Sequence, residues 1–136
     1  MLRFFYDLWF AYSVKQSKES FHIGYFSCKE KVEKTINQLK VQPGFCDHPT
    51  SCFKIQKFGI DLPTDCDKSS VTFFVPSYER EEPDGDFWEL FGVFLSEQEA
   101  KAELEKHQKK YPVGTFDISA WKVDRSINWR EGFSPF

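Results

Sequence analysis

The chain has 136 residues, 40% of them hydrophobic and 16 of them Phe, with a formal net charge of −3. That supply of large rings suffices for the core of one ordinary domain and excludes a disordered chain. Without a Lys/Arg excess or cluster, a protein that grips nucleic acid through its phosphates is not expected.

The charge is uneven. Residues 1–68 carry 10 Lys/Arg against 8 Asp/Glu, and residues 69–136 carry 8 against 13. An electrostatic partner is therefore expected to be basic and to meet the second half. The apolar start, Met1 to Val14, contains Asp7 and runs on into Lys15, Gln16 and Ser17. It reads as a strand rather than an export signal, and no stretch reaches the length of a membrane span. A cytoplasmic protein with no membrane attachment is expected. Cys28, Cys46, Cys52 and Cys66 then read as free thiols.

Taken in order, Phe4 to Tyr12 and Phe21 to Phe26 read as two strands joined by the polar stretch Ser13 to Ser20. A helix opens near Ser27, with Glu30 three residues later as a capping box. It carries the stripe Cys28, Val32, Ile36 and Leu39, and stops before Pro43-Gly44. A third strand spans Cys52 to Ile60. The polar segment Pro63 to Ser70 leads to a second set of elements. Val71 to Tyr78 and Phe87 to Leu95 read as strands, joined by a loop containing the turn signal Pro83-Asp84-Gly85. A helix opens at Ser96 with Glu99, its stripe being Ala100, Leu104 and His107, running on to Tyr111. Thr115 to Val123 closes the series.

The two sets are copies. Gly24-Tyr25-Phe26 precedes the first helix as Gly92-Val93-Phe94 precedes the second. Phe53 to Asp61 matches Phe116 to Asp124 in Phe, Ile, a large ring, a branched aliphatic residue and Asp. Upstream, Leu8 to Tyr12 aligns with Phe74 to Tyr78. Both third strands shift apolar phase before Phe58 and Trp121, which suggests a shared bulge. The expected fold is α+β. Two β-β-α-β repeats form one mostly antiparallel sheet of about six strands, with two helices on one face. Residues 1–136 are expected to make a single domain, divided as 1–62, a linker 63–70, and 71–136; either half alone would be marginal.

Ser77-Tyr78-Glu79, Gly92-Val93-Phe94-Leu95-Ser96, and Asp124 followed by Trp129-Arg130-Glu131-Gly132-Phe133 resemble a family of small bacterial proteins of unknown function with a C-terminal Trp-x-Glu-Gly-Phe motif. Gln42-Pro43-Gly44-Phe45 adds to the resemblance in the first copy, making the chain a tandem duplication of that unit. The resemblance implies a fold unit and no chemistry. At the level of class, small α+β proteins of this sort resemble immunity proteins that neutralise bacterial toxins.

No catalytic residue is assigned. His22, His48 and His107 occupy no matching positions in the two copies, and no glycine-rich phosphate loop or metalloprotease motif occurs. No cofactor is expected. Cys46-Asp47-His48 with Cys52 is the one stretch resembling a zinc motif. It is kept as an alternative against a plain loop with thiols, because it lacks a paired set of four ligands.

Two features point to binding. Glu79, Glu81, Glu82, Asp84 and Asp86 crowd the second hairpin; they read either as a solvated turn or as a docking site for a basic protein partner. Trp129 and Phe133 read either as rings that tie down the tail or as a partner or self-association surface. The leading expectation is a non-catalytic protein-binding protein, an immunity-type inhibitor of a toxin. The alternative is a structural or regulatory module that self-associates, with a homodimer as its simplest form.

Overall fold

Aromatic and β-branched residues dominate the first fourteen positions, and they form one long strand, β1 (Leu2–Val14). The computed structural model describes residues 1–15, 17–83 and 85–134. Along it, β1 is followed by β2 (Ser17–Phe26), α1 (Lys29–Leu39) and β3 (Phe53–Asp61), then β4 (Thr72–Arg80), β5 (Phe87–Leu90), α2 (Glu97–Gln108) and β6 (Thr115–Lys122). The expected α+β class and the order β-β-α-β, given twice, are what the chain adopts. The expected single sheet is not. There are two antiparallel three-stranded sheets, ordered β2-β1-β3 and β5-β4-β6. In each the first strand of the repeat is central.

The chain divides into two compact units: Met1–Ser70 with Val123–Phe136, and Val71–Lys122. Residues 63–70 and the tail from Val123 thus both belong to the first unit, although the sequence pattern assigns the tail to the second repeat.

In the first unit, Leu8, Phe10, Ile23, Phe26, Val32, Leu39, Phe45 and Phe53 form the core, drawn from β1, β2, α1, the loop after it and β3. Phe5 and Tyr25 are also buried, but on the opposite face of the sheet, where Phe5 lies opposite Phe58. This explains the phase shift in the third strands. Phe53 faces the side of Phe10 and Phe58 the side of Phe5, and the β1–β3 register runs unbroken. Likewise Phe116 lies opposite Tyr78 and Trp121 opposite Phe73, again in unbroken register. The shift therefore marks a change of buried face, not the bulge expected from it. A register shift does occur between Leu8 and Trp9 on the β2 side, where Ile23 is the extra residue and enters the core.

The second unit breaks its ladder at the same place by another means. Pro76 lies in the central strand and has no N–H, so β5 stops at Leu90, and pairing resumes only as the isolated bridge Phe74–Phe94. Register also corrects the repeat alignment. Phe10 and Tyr78 occupy the same place, as do Phe26 and Phe94, so Tyr6–Phe10 corresponds to Phe74–Tyr78. The first hairpin is tighter than its polar sequence suggests. β1 and β2 extend through Ser13 and Lys18 to the pair Val14–Ser17, because ladder hydrogen bonds use the backbone and tolerate polar, exposed side chains.

The helix starts differ from each other. Ser96 caps α2, its Oγ accepting the Glu99 N–H at 3.2 Å. In α1 the cap position is Cys28, with no side-chain cap bond, and Ser27 is engaged elsewhere. Its hydroxyl donates to Asp124 Oδ2 at 2.6 Å and its N–H to Asp124 Oδ1 at 2.8 Å; Lys31 Nζ adds a third bond at 2.9 Å. A carboxylate from the far end of the chain thus sits at the positive end of α1.

Candidate functional site

The β4–β5 hairpin of the second unit carries the densest charge. β4 ends at Arg80, which lies opposite Phe87 in the ladder. Its guanidinium lies 4.5 Å from the Phe87 ring centre, and its Nε donates to Glu82 Oε1 at 2.6 Å. Arg80 therefore neutralises Glu82 and covers the apolar face of the hairpin. Glu79, Glu81 and Asp86 are exposed, and among the described residues they make no ion pair. Asp84 lies outside the described residues.

Alternation divides the hairpin between two faces. Tyr78, Arg80, Phe87 and Glu89 share one. Here Tyr111 stacks on Tyr78 at 4.4 Å, and its hydroxyl donates to Glu89 at 2.9 Å. The carboxylate's hold on that proton, with some burial, raises the Tyr111 pKa. Tyr78 donates its hydroxyl to the Val113 carbonyl. On that face the unit's own rings bury Tyr78, while Phe87 stays 36% exposed. Trp88 and Leu90 point to the other, and both are exposed, at 45% and 38%. They are absent from the candidate residues drawn from sequence. The signal was their alternation with Phe87 and Glu89, which gains meaning only once the register is known.

Trp129 and Phe133 occupy a different place, in the first unit. Phe133 lies 4.9 Å from Phe45, 5.0 Å from Phe21, 5.2 Å from Tyr12 and 5.7 Å from Phe10. Its N–H donates to the Pro43 carbonyl at 2.9 Å. Trp129 packs on Phe21 at 4.4 Å but remains 42% exposed. Two glycines make this docking possible. Gly132 (φ +86°) and Gly44 (φ +84°) cross so closely that a Cβ on Gly132 would lie 2.2 Å from the Pro43 carbonyl oxygen. One on Gly44 would lie 2.4 Å from that of Phe133. The pairing of Pro43-Gly44-Phe45 with Trp129 to Phe133 is therefore a physical one, within one unit.

Cys46 is exposed, while Cys52 packs against the core. His48 turns its ring toward Tyr12, at 4.8 Å, and Phe10, at 6.0 Å. Among the described residues no group of three or more His, Cys, Asp or Glu side chains is placed to hold a metal. His22 and His107 also have carboxylate partners. His22 Nε2 bonds Asp7 Oδ1 across the first hairpin, in a pair 9% and 15% exposed at the side chain. Tyr25 lies beside it, its pKa raised by burial and by the Asp7 charge. A His–carboxylate pair of this kind can orient a base, but this one is enclosed. His107 stacks on Phe91 at 4.0 Å and bonds Glu103 at 3.2 Å.

No family model, curated protein or solved structure matches this chain. Function is therefore read from its own residues. Among the described residues, no helix is long and apolar enough to cross a membrane.

Proposed function

We propose that this chain is a non-catalytic binding protein that captures a cationic protein partner through the second unit, in the manner of an immunity-type inhibitor of a toxin. The observation that carries the reading is the β4–β5 hairpin, where the exposed apolar residues Trp88 and Leu90 stand beside the exposed carboxylates Glu79, Glu81 and Asp86. Carboxylates beside an apolar patch both attract an opposite surface and give it something to bury. The charge is also placed: residues 71–122 contain 11 Asp/Glu against 6 Lys/Arg. The equivalent turn of the first unit, around Lys15 and Lys18, lacks the acidity, so the repeat architecture does not require it.

The test replaces Glu81, Glu82 and Asp86 by Ser and compares partner capture and association kinetics with the unaltered chain. Association should slow about tenfold at low salt and lose most of its salt dependence. Stability should change by less than about 0.5 kcal/mol. A partner held equally by both proteins at low and high salt would refute the reading.

A further inference from the structure

Where the chain turns out of α1, the first unit forms a cavity of about 190 Å³ lined by Thr35, Gln38, Leu39, Gln42, Ile127 and Arg130. Thr35, Gln38, Leu39 and Gln42 stand at the i, i+3, i+4, i+7 spacing of one helical face. The helix itself ends at Leu39, and Gln42 is held in the turn beyond it. Its N–H donates to the Leu39 carbonyl at 2.9 Å, and its carbonyl accepts the Cys46 N–H at 3.0 Å. The tail supplies the rest of the lining, and it is pinned on both sides of Arg130. The Asn128 N–H donates to the Ile23 carbonyl at 2.9 Å, and the Phe133 N–H to the Pro43 carbonyl at 2.9 Å. The crossing of Gly132 over Pro43 and Gly44 thus brings Arg130 to the C-terminal end of α1.

The lining sorts by chemistry. Leu39 is buried and Ile127 packs against the core, so these two make an apolar floor. Thr35 is 5% exposed and donates its hydroxyl to the Lys31 carbonyl at 2.9 Å, so toward a ligand its oxygen can only accept. Among the described residues, the carboxamides of Gln38 and Gln42 make no hydrogen bond. Arg130 makes one, from Nη2 to the Arg125 carbonyl at 3.5 Å, and no ion pair among the described residues. Most of its five donors are therefore uncommitted. The last turn of α1 holds no basic residue to offset the helix's negative end. One side of the cavity thus offers a guanidinium, the other offers acceptors at a negative helix end, and the floor between is apolar.

We infer that this cavity binds a free α-amino acid with a short aliphatic side chain. The carboxylate lies on Arg130, which suits it by planar, paired donation. The ammonium is taken by the Thr35 oxygen and the glutamine carbonyls, and the side chain covers Leu39 and Ile127. A simple anion would meet the negative end of α1, and a simple cation would meet Arg130; a zwitterion satisfies both. The volume corresponds to roughly six waters of the liquid, which suits a leucine-sized molecule. This site lies in the first unit and goes beyond the binding role proposed for the second.

The experiment titrates the full chain with leucine, leucinamide (no carboxylate) and 4-methylpentanoate (no ammonium), followed by ¹⁵N-resolved NMR. Leucine should shift the Thr35, Leu39 and Ile127 resonances saturably. It should bind about tenfold more tightly than either analogue, because each analogue lacks one set of charge-assisted hydrogen bonds. Arg130→Ala should abolish the preference over leucinamide and keep the preference over 4-methylpentanoate. Thr35→Val keeps the shape without the acceptor, and should weaken only the second preference. Arg130→Glu should make leucinamide the better ligand, a gain that misfolding could not imitate.

Absence of saturable shifts with leucine would overturn the inference, as would equal binding of leucine and either analogue by the unaltered chain. Shifts confined to the β4–β5 hairpin would overturn it too. Inorganic phosphate binding at the same resonances as tightly as leucine would make the cavity a general anion site and so overturn the amino acid. The variant with Glu81, Glu82 and Asp86 replaced should bind leucine as the unaltered chain does, which keeps this test apart from that of the hairpin; loss of leucine binding there would count against the cavity.

Discussion

The crossing of Gly132 over Pro43 and Gly44 offers a sharp physical test, because crowding and backbone conformation can be separated there. In Gly132→Ala the new residue must hold φ near +86°, which costs an L-residue about 1–2 kcal/mol. Its Cβ would also lie 2.2 Å from the Pro43 carbonyl oxygen and 2.8 Å from the Pro43 nitrogen, both backbone atoms within the unit's folded frame. The relief available is withdrawal of the tail, which takes the Phe133 ring out of its cluster. Losing half the burial of such a ring costs roughly 1–1.5 kcal/mol. The total is about 2–3.5 kcal/mol, a large share of the ~5–15 kcal/mol that ordinarily holds a domain. The control is Gly85→Ala, where φ is +127° and nothing lies within 4 Å of the new Cβ. It should suffer the conformational cost alone. Urea unfolding followed by circular dichroism and Trp fluorescence should place Gly132→Ala about 1–1.5 kcal/mol below Gly85→Ala. Equal stability of the two would mean that the tail is not held against Pro43, and the account of the first unit's core would fail.

Other outcomes follow from the same contacts. Burial opposes ionisation of Asp124, but the hydrogen bonds from Ser27 and Lys31 outweigh it and hold its pKa below the ordinary carboxylate value. Its contribution should therefore be complete above the unfolded pKa, near 4, and be lost as pH falls through the lower folded value. Asp124→Asn should cost about 2 kcal/mol at pH 7 and flatten the acid limb of a stability–pH curve, while an unchanged acid limb would count against the assignment. Ser27→Ala should add little on top of Asp124→Asn, because both changes remove the same contact, as a double-mutant cycle would measure. Ser96→Ala should cost about 1 kcal/mol through loss of the α2 cap alone, and its effect should add to that of Asp124→Asn.

The repeat, the α+β class and both helices were legible in the sequence because each is a local signal: apolar period, turn residues and a cap at Ser96. Local patterns stop at the strand. Leu8 to Tyr12 and Phe74 to Tyr78 look alike as strings, yet ladder register pairs Phe10 with Phe53 and Tyr78 with Phe116, which moves the equivalence by two residues. Ser27 has the spelling of a cap, but a carboxylate 97 positions away takes its hydroxyl. The carboxylates of the second hairpin could be named from the sequence, because charge is a property of the residue. Their relation to Trp88 and Leu90 could not, because a shared face depends on which strands pair and in what register.

By itself, then, the sequence determined the elements and their repetition, since helix period, strand alternation and turn chemistry act over a few residues. Tertiary structure decided that the strands form two sheets rather than one, and that the tail following the second repeat completes the core of the first. It also decided which hairpin side chains look out together. Each of these depends on contacts between residues distant along the chain, whose energies reside in burial and register and leave no periodic trace in the sequence.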